Sequence, residues 1–275
     1  MSPAPPRVSV LMPIHRPDPA YFPLAVRSIL EQSLAELELV IVEAPSEREA
    51  RDLVPRDDPR LRLVRRQEPA SLVDQLNEGL SLCRAPLVAR MDADDVSDPE
   101  RLRRQVERLE AEPGLDVLGA QLRVIDAEGR ACGLRRYPLE HEAIVAALPY
   151  ANPLPHPAVT FRRRVVLDAG GYRSFAAAED YDLWCRLAAR GRRFANCAEP
   201  LLAYRLHEAS VKTTRVRDAL QSGLRIKQMH WGSRLPPGAR LRCWAEHLAL
   251  HLPPSWVGAA YERWQYRRPR ATVDA

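Results

Sequence analysis

Residues 37–42 read LELVIV, a short and almost continuously apolar run that is rich in β-branched residues. Such a run is typical of a strand buried on both faces, as in a parallel sheet that helices cover on each side. Comparable runs occur at Arg7–Met12 (RVSVLM, ended by Pro13), Leu61–Val64 and Leu87–Met91. Because segments with helical spacing separate these runs, the alternation predicts parallel βαβ units in a doubly wound α/β sheet.

Helical patterns occupy the intervals between these strands. We expect helices at Leu24–Leu30, within a segment that starts near Pro19, at Ala70–Cys83, and from Ser46 to about Leu53, where Ser46 and Glu49 have capping-box spacing. Further along, the sequence predicts helices at Pro99–Ala111, His141–Leu148 and Asp180–Arg190, a turn at Asp126–Gly129 leading into a short strand, and strands at Val117–Ile125, Val159–Phe161, Arg193–Asn196 and Leu201–Arg205.

The composition is that of an ordinary folded protein. Of the 275 residues, 46% are hydrophobic and 28% are charged, which argues against a disordered or collagen-like chain. No apolar run approaches the roughly 18 residues that cross a bilayer, and the first residues lack a signal-peptide pattern, so we expect neither a membrane span nor secretion. The five scattered cysteines include no CxxC pair, which fits a reducing cytoplasm better than a disulfide framework or a zinc site.

Positive charge is concentrated near the C-terminus. Residues 201–275 contain 13 Lys and Arg against five Asp and Glu, a net charge of +8, whereas residues 1–200 contain 28 against 31. No zinc-finger, RNP or helix-turn-helix pattern accompanies the basic residues, so we expect no nucleic-acid partner. The positive charge is compatible with a partner that has an anionic surface.

The loops that follow the predicted strands are where a doubly wound sheet binds ligands, which points to His15, Glu43 and the loop after the fourth strand. That loop lies in RMDADD and contains Asp92, Asp94 and Asp95. Three carboxylates within four residues repel one another, and a hard cation such as Mg²⁺ or Mn²⁺ would neutralise them and could bridge to phosphate oxygens. The alternative is a solvated acidic turn that caps the next helix.

The second candidate site is AEDYDLWCRL, where Glu179 and Asp180 open an amphipathic helix whose Leu183, Trp184 and Leu187 would face the core. Because a helix N-terminus favours an ionised carboxylate, Asp180 could be a capping residue only. A carboxylate aimed into a cleft is also what a general base needs in order to take a proton from a hydroxyl. The local residues alone favour the capping interpretation, and the general base is the alternative.

Ten short motifs occur in order along the chain. They are SVLMPIH, SILEQS, LELVIV, LNEGL, ARMDADD, PERLRRQVE, NPLPHPAV, GGY, EDYDLWCRL and YRLH. From about Val8 to Ser210, this series resembles the bacterial family-two glycosyltransferases, which are inverting enzymes of the GT-A fold that use nucleotide-diphosphate sugars. The resemblance implies a catalytic domain over residues 1–210, with a nucleotide-sugar half near 1–97 and an acceptor half near 98–210, followed by a helical extension, 211–275.

The resemblance also implies roles for individual residues. Asp180 would be the general base, with Glu179 beside it. His207 is either a metal ligand or a surface histidine after an edge strand, and His156 either contacts substrate or is packed among the prolines of NPLPHP. In full, the implied sets are Asp94, Asp92 and His207 for Mn²⁺ or Mg²⁺; Pro13, His15, Glu43, Arg90 and Asp92 for the donor; and His156, Tyr172 and Trp184 for the acceptor.

The nucleotide end departs from the family pattern. Residues 43–46 read EAPS, where two aspartates followed by Gly-Ser are usual, and His15 and Arg16 stand where Tyr and Asn are frequent. Glu43 could still accept a hydrogen bond from a base imide, His15 would stack on a base less well than tyrosine, and Arg16 could meet a phosphate. These changes leave the identity of the base open.

The segment 211–275 lies outside the strong resemblance and holds four of the five tryptophans. Within LRCWAEHLALHL, helical spacing places Leu241, Trp244, Leu248 and His251 on one face, which suits packing against the catalytic domain or contact with a membrane. Aromatic and cationic residues are then mixed as in interfacial segments, at Trp264, Tyr266, Arg267, Arg268 and Arg270. Ordinary packing and peripheral association with the inner membrane are the two alternatives.

Taken together, the motifs and the resemblance predict a metal-dependent enzyme that moves a sugar from a nucleotide-diphosphate donor to a hydroxyl of a glycan or lipid-linked saccharide, with inversion. The resemblance implies a role in bacterial surface polysaccharide synthesis, in the cytoplasm or at the inner face of the plasma membrane. One alternative is a nucleotidyltransferase, for which a glycine-rich phosphate loop would be expected and is missing from the sequence. The other is a nucleotide-sugar-binding protein without turnover, against which the intact acidic motifs argue.

Overall fold

The computed structural model describes residues 5–206 and 213–252, with the side chains of the second segment described from residue 217. Within these ranges, one mixed sheet carries helices on both faces, which confirms the predicted α/β class. The strands are β1 Val8–Ile14, β2 Leu37–Glu43, β3 Leu61–Arg65, β4 Leu87–Arg90, β5 Val96–Ser97, β6 Val117–Ile125, β7 Ala131–Arg135, β8 Thr160–Arg162 and β9 Phe194–Arg205. The helices are α1 Phe22–Leu30, α2 Leu72–Leu82, α3 Arg101–Ala111, α4 His141–Ala147, α5 Arg163–Asp168, α6 Glu179–Ala189, α7 Thr213–His230 and α8 Pro237–Ala249.

The strand order across the sheet is β3-β2-β1-β4-β8-β6-β9-β5, with β7 paired to β6. Strands β1 to β4 pair in parallel, as the apolar runs predict. Strand β8 then runs antiparallel between β4 and β6, and β6 pairs in parallel with β9. The parallel half therefore brings the carboxyl ends of β1, β2 and β4 to one edge, where the predicted ligand loops lie.

Two apolar layers hold the helices against the sheet. On one face, Phe22 of α1 and Leu102 and Val106 of α3 are fully buried. On the other face, α2, α5 and α6 pack through side chains that include Leu76 and Trp184. Burial on both faces explains why the strands are almost continuously apolar. No helix of the described residues combines the length and the hydropathy that crossing a bilayer requires.

The segment after β2 differs from the prediction. The sequence predicts a helix from Ser46 to about Leu53, but only Ala50–Leu53 form a short 3₁₀ turn. The Glu43 carboxylate accepts a hydrogen bond from the first backbone N–H of this turn, at 2.7 Å, and so ties the loop to the end of β2. The capping box forms instead at the start of α2, between Ser71 and Asp74. The capping box predicted at Ser46 is therefore wrong.

Two strands run further than the sequence predicts. Strand β1 continues through Pro13 to Ile14, although proline was expected to end it. Backbone groups of successive strand residues point alternately to the two neighbouring strands, so the nitrogen of Pro13 points to the β4 side, as Leu11 does. Because pairing with β4 ends at Leu11, no hydrogen bond between strands is needed from Pro13. Strand β9 replaces two predicted strands, because a bulge opposite Gln121 keeps the chain paired with β6 across Pro200.

Three residues in and beside the LNEGL motif connect helix α2 to the strands and to the loop before α6. The buried amide of Gln75 donates to the last carbonyl of β1 and to a carbonyl near the end of β2, each at 2.7 Å. Asn77 exchanges two hydrogen bonds with the backbone of Tyr172, at 2.8 and 2.9 Å, which holds the GGY segment in place. A Cβ at Gly79 would lie 2.1 Å from the Cδ1 atom of Leu11, so any larger residue would force this buried side chain to shift. Helix α2 thus connects the strand ends to the loop that precedes α6.

Gln105 joins α3 to two other segments through a fully buried side chain. Its amide nitrogen donates to the carbonyls of Leu118 and Ala158, at 3.1 and 2.8 Å. Its amide oxygen accepts from the Thr160 hydroxyl at 2.7 Å and from the Arg101 guanidinium at 3.1 Å. This one amide therefore satisfies polar groups from α3, β6, β8 and the turn before β8.

We expect Gln105→Leu to lower the free energy of unfolding by about 3 kcal/mol, because each buried polar group left without a partner costs on the order of 1–3 kcal/mol. Urea denaturation of the full chain measures the difference. The control is Glu107→Gln on the exposed side of the same helix, which should change stability by less than about 0.5 kcal/mol. Equal stability of Gln105→Leu and wild type would contradict this role of the amide.

Candidate functional site

The acidic loop after β4 gathers three carboxylates. One oxygen from each of Asp92, Asp94 and Asp95 lies within 4.8 Å of the others. Asp95 is fully buried: its Oδ1 accepts the Arg205 backbone N–H at 2.9 Å, whereas Oδ2 has no hydrogen-bond partner in the described part of the chain. Burial, reinforced by the charges of Asp92 and Asp94, raises the pKa of Asp95 well above its ordinary value. Oxygen donors held together at this density suit a hard divalent cation. His207, the other predicted ligand, lies outside the described residues.

The end of β9 supports this loop. In addition to its backbone bond with Asp95, Arg205 donates from Nε to the carbonyl of Asp94 at 2.9 Å. Its Nη1 donates to the carbonyls of Asp126 and Ala127, at 3.1 and 3.0 Å, and the guanidinium lies 4.6 Å from the centre of the Tyr21 ring. The YRLH segment, which follows the loop by more than 100 residues, thus fixes the backbone of the acidic loop.

A buried arginine lies beside the acidic loop. Arg90 is the last residue of β4, is 4% exposed, and forms an ion pair with Asp92. Beneath it, the guanidinium of Arg101 donates to the Arg90 carbonyl at 2.7 Å, and burial lowers the pKa of Arg101 to about 9. The charge of Arg90 also lowers the pKa of Glu179 and Asp180, against the larger effect of burial. Arg90 is therefore a buried cation between the two acidic motifs.

The second acidic motif opens α6 at the edge of the same cleft. Ala178 precedes the helix in a left-handed conformation, with φ of 74°, and takes the N-cap position. Asp180 accepts hydrogen bonds from the Asn152 side chain at 2.6 Å and from the Tyr181 backbone N–H at 2.8 Å. Asp180 therefore contributes to the first turn of the helix, but it is not the N-cap.

Burial shifts the ionisation of the first two carboxyls of α6, those of Glu179 and Asp180, which are 8% and 9% exposed. We call this pair the α6 carboxyls. It raises the pKa of Glu179 to about 7, with a further contribution from the neighbouring charge of Asp180. Burial also raises the pKa of Asp180, against the opposing hydrogen bonds from Asn152 and Tyr181. A carboxylate in this environment is a stronger base than one in water, which is the property that proton abstraction from a hydroxyl requires.

The two acidic motifs share one cavity of about 220 Å³, although they are far apart in the sequence. Asp92 and Arg90 line one side, and Glu179 and Asp180 line another. The remaining wall is formed by Leu122, Arg135, Tyr137, Asn152, Leu154, Pro155, His156, Pro157 and Tyr204. A group bound in this cavity would therefore contact the acidic loop and the carboxyls of α6 at the same time.

The three residues predicted on the acceptor side lie at different depths. His156 lines the cavity, with Nδ1 3.8 Å from the Glu179 carboxylate and Nε2 3.0 Å from the Tyr172 hydroxyl. Burial, together with the charge of Arg90, holds the pKa of His156 well below its ordinary value, so the ring is neutral. Tyr172 and Trp184 are buried behind it, and the Trp184 ring packs edge-on against His156. Both rings support the cavity wall from within the core.

A second, larger cavity of about 980 Å³ lies beyond the ends of β1 and β2. His15 and Arg16 line one side, and residues 45–49 with Asp52 line the other. Glu43 is fully buried beside residues 44–49, and its Oε2 has no hydrogen-bond partner among the described residues. Pro13 is buried within β1. Of the predicted donor residues, His15 thus lines this cavity and Arg90 and Asp92 line the smaller one, whereas Pro13 and Glu43 are buried and line neither.

Four residues of the cavity wall that carry polar groups were not predicted from the sequence: Arg135, Tyr137, Asn152 and Tyr204. Asn152 begins the NPLPHPAV motif, and an amide before a rigid proline loop is a signal that could have identified it. Arg135 and Tyr137, whose ring lies 5.3 Å from the Arg135 guanidinium, belong to a strand and loop with no distinctive pattern. Only the pairing of β7 with β6 brings them to the site.

A buried ionic network fixes α6 in position. Asp182 accepts from Arg186 at 2.7 Å and contacts His230 of α7 at 3.2 Å. Arg186 also donates to the carbonyls of Ala169 and Gly171, each at 2.7 Å. Burial works to raise the pKa of Asp182, but the hydrogen bonds with His230 and Arg186 outweigh it and lower the pKa. Two carboxylates of one motif therefore have opposite environments, since Asp180 faces the cavity and Asp182 faces the core.

Comparison with known proteins agrees with this geometry. A family model described as glycosyl transferase family 2 matches residues 9–171, which includes the acidic loop. The O-antigen biosynthesis glycosyltransferase WbnJ of Escherichia coli is 32% identical over 212 residues, covering 74% of this chain and 82% of that protein. A second Escherichia coli protein, UDP-Gal:alpha-D-GlcNAc-diphosphoundecaprenol beta-1,3-galactosyltransferase, is 25% identical over 77% of this chain and 78% of its own length.

A solved structure shows the same fold. The mannosyltransferase PcManGT from Pyrobaculum calidifontis, in complex with GDP-Man and Mn²⁺, superposes with a TM-score of 0.59 at 18% identity, over 94% of this chain and 74% of that one. The sheet order and flanking helices are thus those of the GT-A glycosyltransferase fold. Since the family model spans more than half of the sequence, the chain belongs to glycosyl transferase family 2.

Proposed function

We propose that this glycosyltransferase moves a sugar from a nucleotide-diphosphate donor to a hydroxyl of a growing surface saccharide, with inversion and with the help of a divalent cation. The observation that carries the proposal is the single cavity shared by the acidic loop and the α6 carboxyls. A donor diphosphate at the first and an acceptor hydroxyl at the second would place the reacting atoms side by side.

The cation is assigned to Asp92 and Asp94, with Asp95 supporting them. Their clustered oxygens, and the buried Oδ2 of Asp95 that lacks a partner among the described residues, fit Mg²⁺ or Mn²⁺. A bound divalent cation would offset the charge that develops on the leaving diphosphate. His207 is proposed to join this set, because the end of β9 is fixed to the acidic loop through Arg205.

The nucleotide is assigned to the larger cavity at the ends of β1 and β2. Its volume accommodates a base and ribose, and the free Oε2 of Glu43 could accept a hydrogen bond from a base N–H. His15 and Arg16 at the rim could stack on the base and meet a phosphate, respectively. The name of one relative contains UDP, and one solved structure holds GDP-Man. The nucleotide base that this chain binds is therefore to be found by testing donors of both kinds.

Asp180 is assigned as the general base. Asn152 orients its carboxylate, and burial raises its affinity for a proton. In a single displacement, Asp180 takes the proton of the acceptor hydroxyl while the oxygen forms a bond to the anomeric carbon. The bond from that carbon to the diphosphate breaks with its electron pair leaving on the phosphate oxygen, so the configuration inverts. Glu179 and the neutral His156 shape the acceptor side of the cavity.

The names of two relatives support a biological role. WbnJ acts in O-antigen biosynthesis, and the galactosyltransferase acts on a saccharide linked to diphosphoundecaprenol. We assign this chain to the synthesis of a bacterial surface polysaccharide on a lipid-linked acceptor, at the cytoplasmic face of the membrane.

Asp94→Asn should abolish turnover and weaken metal-dependent donor binding, because an amide lacks the charge that offsets a divalent ion. Calorimetric titration with the nucleoside diphosphate, with and without Mn²⁺, measures the loss. Asp168→Asn, at an exposed carboxylate on α5, should leave both properties unchanged. Full metal-dependent activity in Asp94→Asn would remove the acidic loop from the mechanism.

Asp180→Asn should reduce transfer by roughly 10²- to 10⁴-fold, the usual effect of losing a general base, while donor affinity and melting temperature stay close to wild type. The matched control is Asp182→Asn two residues away, which breaks a buried ionic network and should lower the melting temperature sharply. If Asp180→Asn lost stability as Asp182→Asn does, Asp180 would be a structural residue.

Glu179→Gln should be more stable than wild type above neutral pH. The folded-state pKa near 7 exceeds the ordinary 4.5, so the folded protein binds this proton more tightly than the unfolded chain and stability falls as pH rises between these values. We expect Glu179→Gln to gain about 1–3 kcal/mol at pH 8 and to match wild type below about pH 4.5. Urea denaturation across this pH range tests it, with the exposed Glu142→Gln as control. A gain that does not depend on pH would reject the raised pKa.

A further inference from the structure

The face that α8 turns outward is apolar. Leu241, Trp244 and Leu248 are 68%, 65% and 51% exposed, and their spacing places them along one side of the helix. We call these three residues the α8 stripe. The sequence left packing against the catalytic domain as one alternative for this face, but none of the three residues is buried by the described residues. A helix of a soluble domain normally buries such a stripe, so its exposure calls for an occupant.

The opposite side of α8 is anchored by charge. Lys227 of α7, which is 3% exposed, donates to the Glu246 carboxylate at 2.6 Å, and Arg242 donates to the same carboxylate at 2.8 Å. Helix α7 is in turn connected to α6 through the contact of His230 with Asp182. The outward direction of the α8 stripe is therefore set by buried ionic contacts that reach back to the helix of the proposed general base.

The charge around the α8 stripe is positive. Glu246 is the only acidic residue of α8, and Lys227 and Arg242 neutralise it. Arg240 and His247 are exposed on one flank of the stripe, and Arg234 is exposed in the turn before the helix. The surrounding stretch 201–275 has a net charge of +8. An apolar stripe with a tryptophan and cationic flanks matches the interface of an anionic bilayer.

We propose that α8 lies on an anionic lipid surface, with the α8 stripe inserted among the headgroups and the flanking cations facing lipid phosphates. A second copy of the chain is a poorer occupant, because pairing this face with itself would bring like charges together. Residues 253–275 are also a poorer occupant, because their net charge of +2 would be repelled by the cations that flank the stripe. The inference deepens the proposed function, because a lipid-linked acceptor is presented at such a surface.

Co-sedimentation of the full-length protein tests the proposal. Wild type should bind vesicles of phosphatidylcholine containing about one-third phosphatidylglycerol, bind pure phosphatidylcholine weakly, and lose binding as salt rises. Trp244→Ser/Leu248→Ser should lower the partition coefficient about tenfold or more, because two inserted apolar side chains are lost. The control is Leu167→Ser, at an exposed leucine of α5, which should bind like wild type.

Three outcomes would overturn the proposal. The first is wild-type protein that stays in the supernatant at physiological salt, or a double variant that binds as wild type does. The second is a dimer in light scattering that the double variant dissociates, which would make the α8 stripe an interface between copies. The third is a sharp fall in the melting temperature of the double variant without vesicles, which would mean that residues 253–275 cover the stripe. Sugar transfer to a soluble acceptor is measured in parallel. Transfer without vesicle binding would reject the membrane inference alone, whereas a lack of transfer would reject the proposed function.

Discussion

Five carboxyl groups gather near the buried Arg90, three of them buried and two half-buried, and this crowding is the constraint that shapes the cleft. Asp92, Asp94 and Asp95 come from one edge of the sheet, and Glu179 and Asp180 come from the start of α6. Their mutual repulsion opposes folding, and the charge of Arg90 offsets only part of it. Burial raises the pKa values of Glu179 and Asp95, and the charges of the neighbouring carboxylates raise them further. Such strain is typical of a site that binds a cation and a proton during its reaction cycle.

Uncharged and ionic contacts around the cleft hold these carboxyls in place. Gln75 and Gln105 each satisfy carbonyls from two segments with one amide, and so fix strand ends and loops that have no regular pairing. Arg205 secures the acidic loop from β9, and Asp182 secures α6 from α7. These residues explain why the family motifs extend beyond the groups that could touch a substrate. Many residues of each motif serve to hold the other motifs in position.

The sequence predicted the class of fold and both acidic motifs, because apolar strand runs and clustered carboxylates are local signals. The sequence did not predict which side chains reach the cavity surface. Tyr172 and Trp184 were expected to contact the acceptor but are buried behind His156, because a motif does not reveal which of its rings faces a cavity. Ser46 was expected to begin a helix, but the Glu43 carboxylate holds the chain otherwise. Arg135 and Tyr137 reach the site through the pairing of β7 with β6, a long-range contact that a single sequence does not encode locally, whereas Asn152 begins a motif that could have identified it. Their roles, like those of the other site residues, stay proposals.

We propose that the acidic loop and the α6 carboxyls act on the same donor molecule, across the cavity that they share. This proposal is tested most directly by measuring the nucleoside diphosphate released by the purified protein from a panel of UDP- and GDP-sugars, with a lipid-linked saccharide acceptor, in Mn²⁺ and in EDTA. The account predicts acceptor-dependent release from one class of donor that EDTA stops and added Mn²⁺ restores. Release that proceeds equally in EDTA would contradict it.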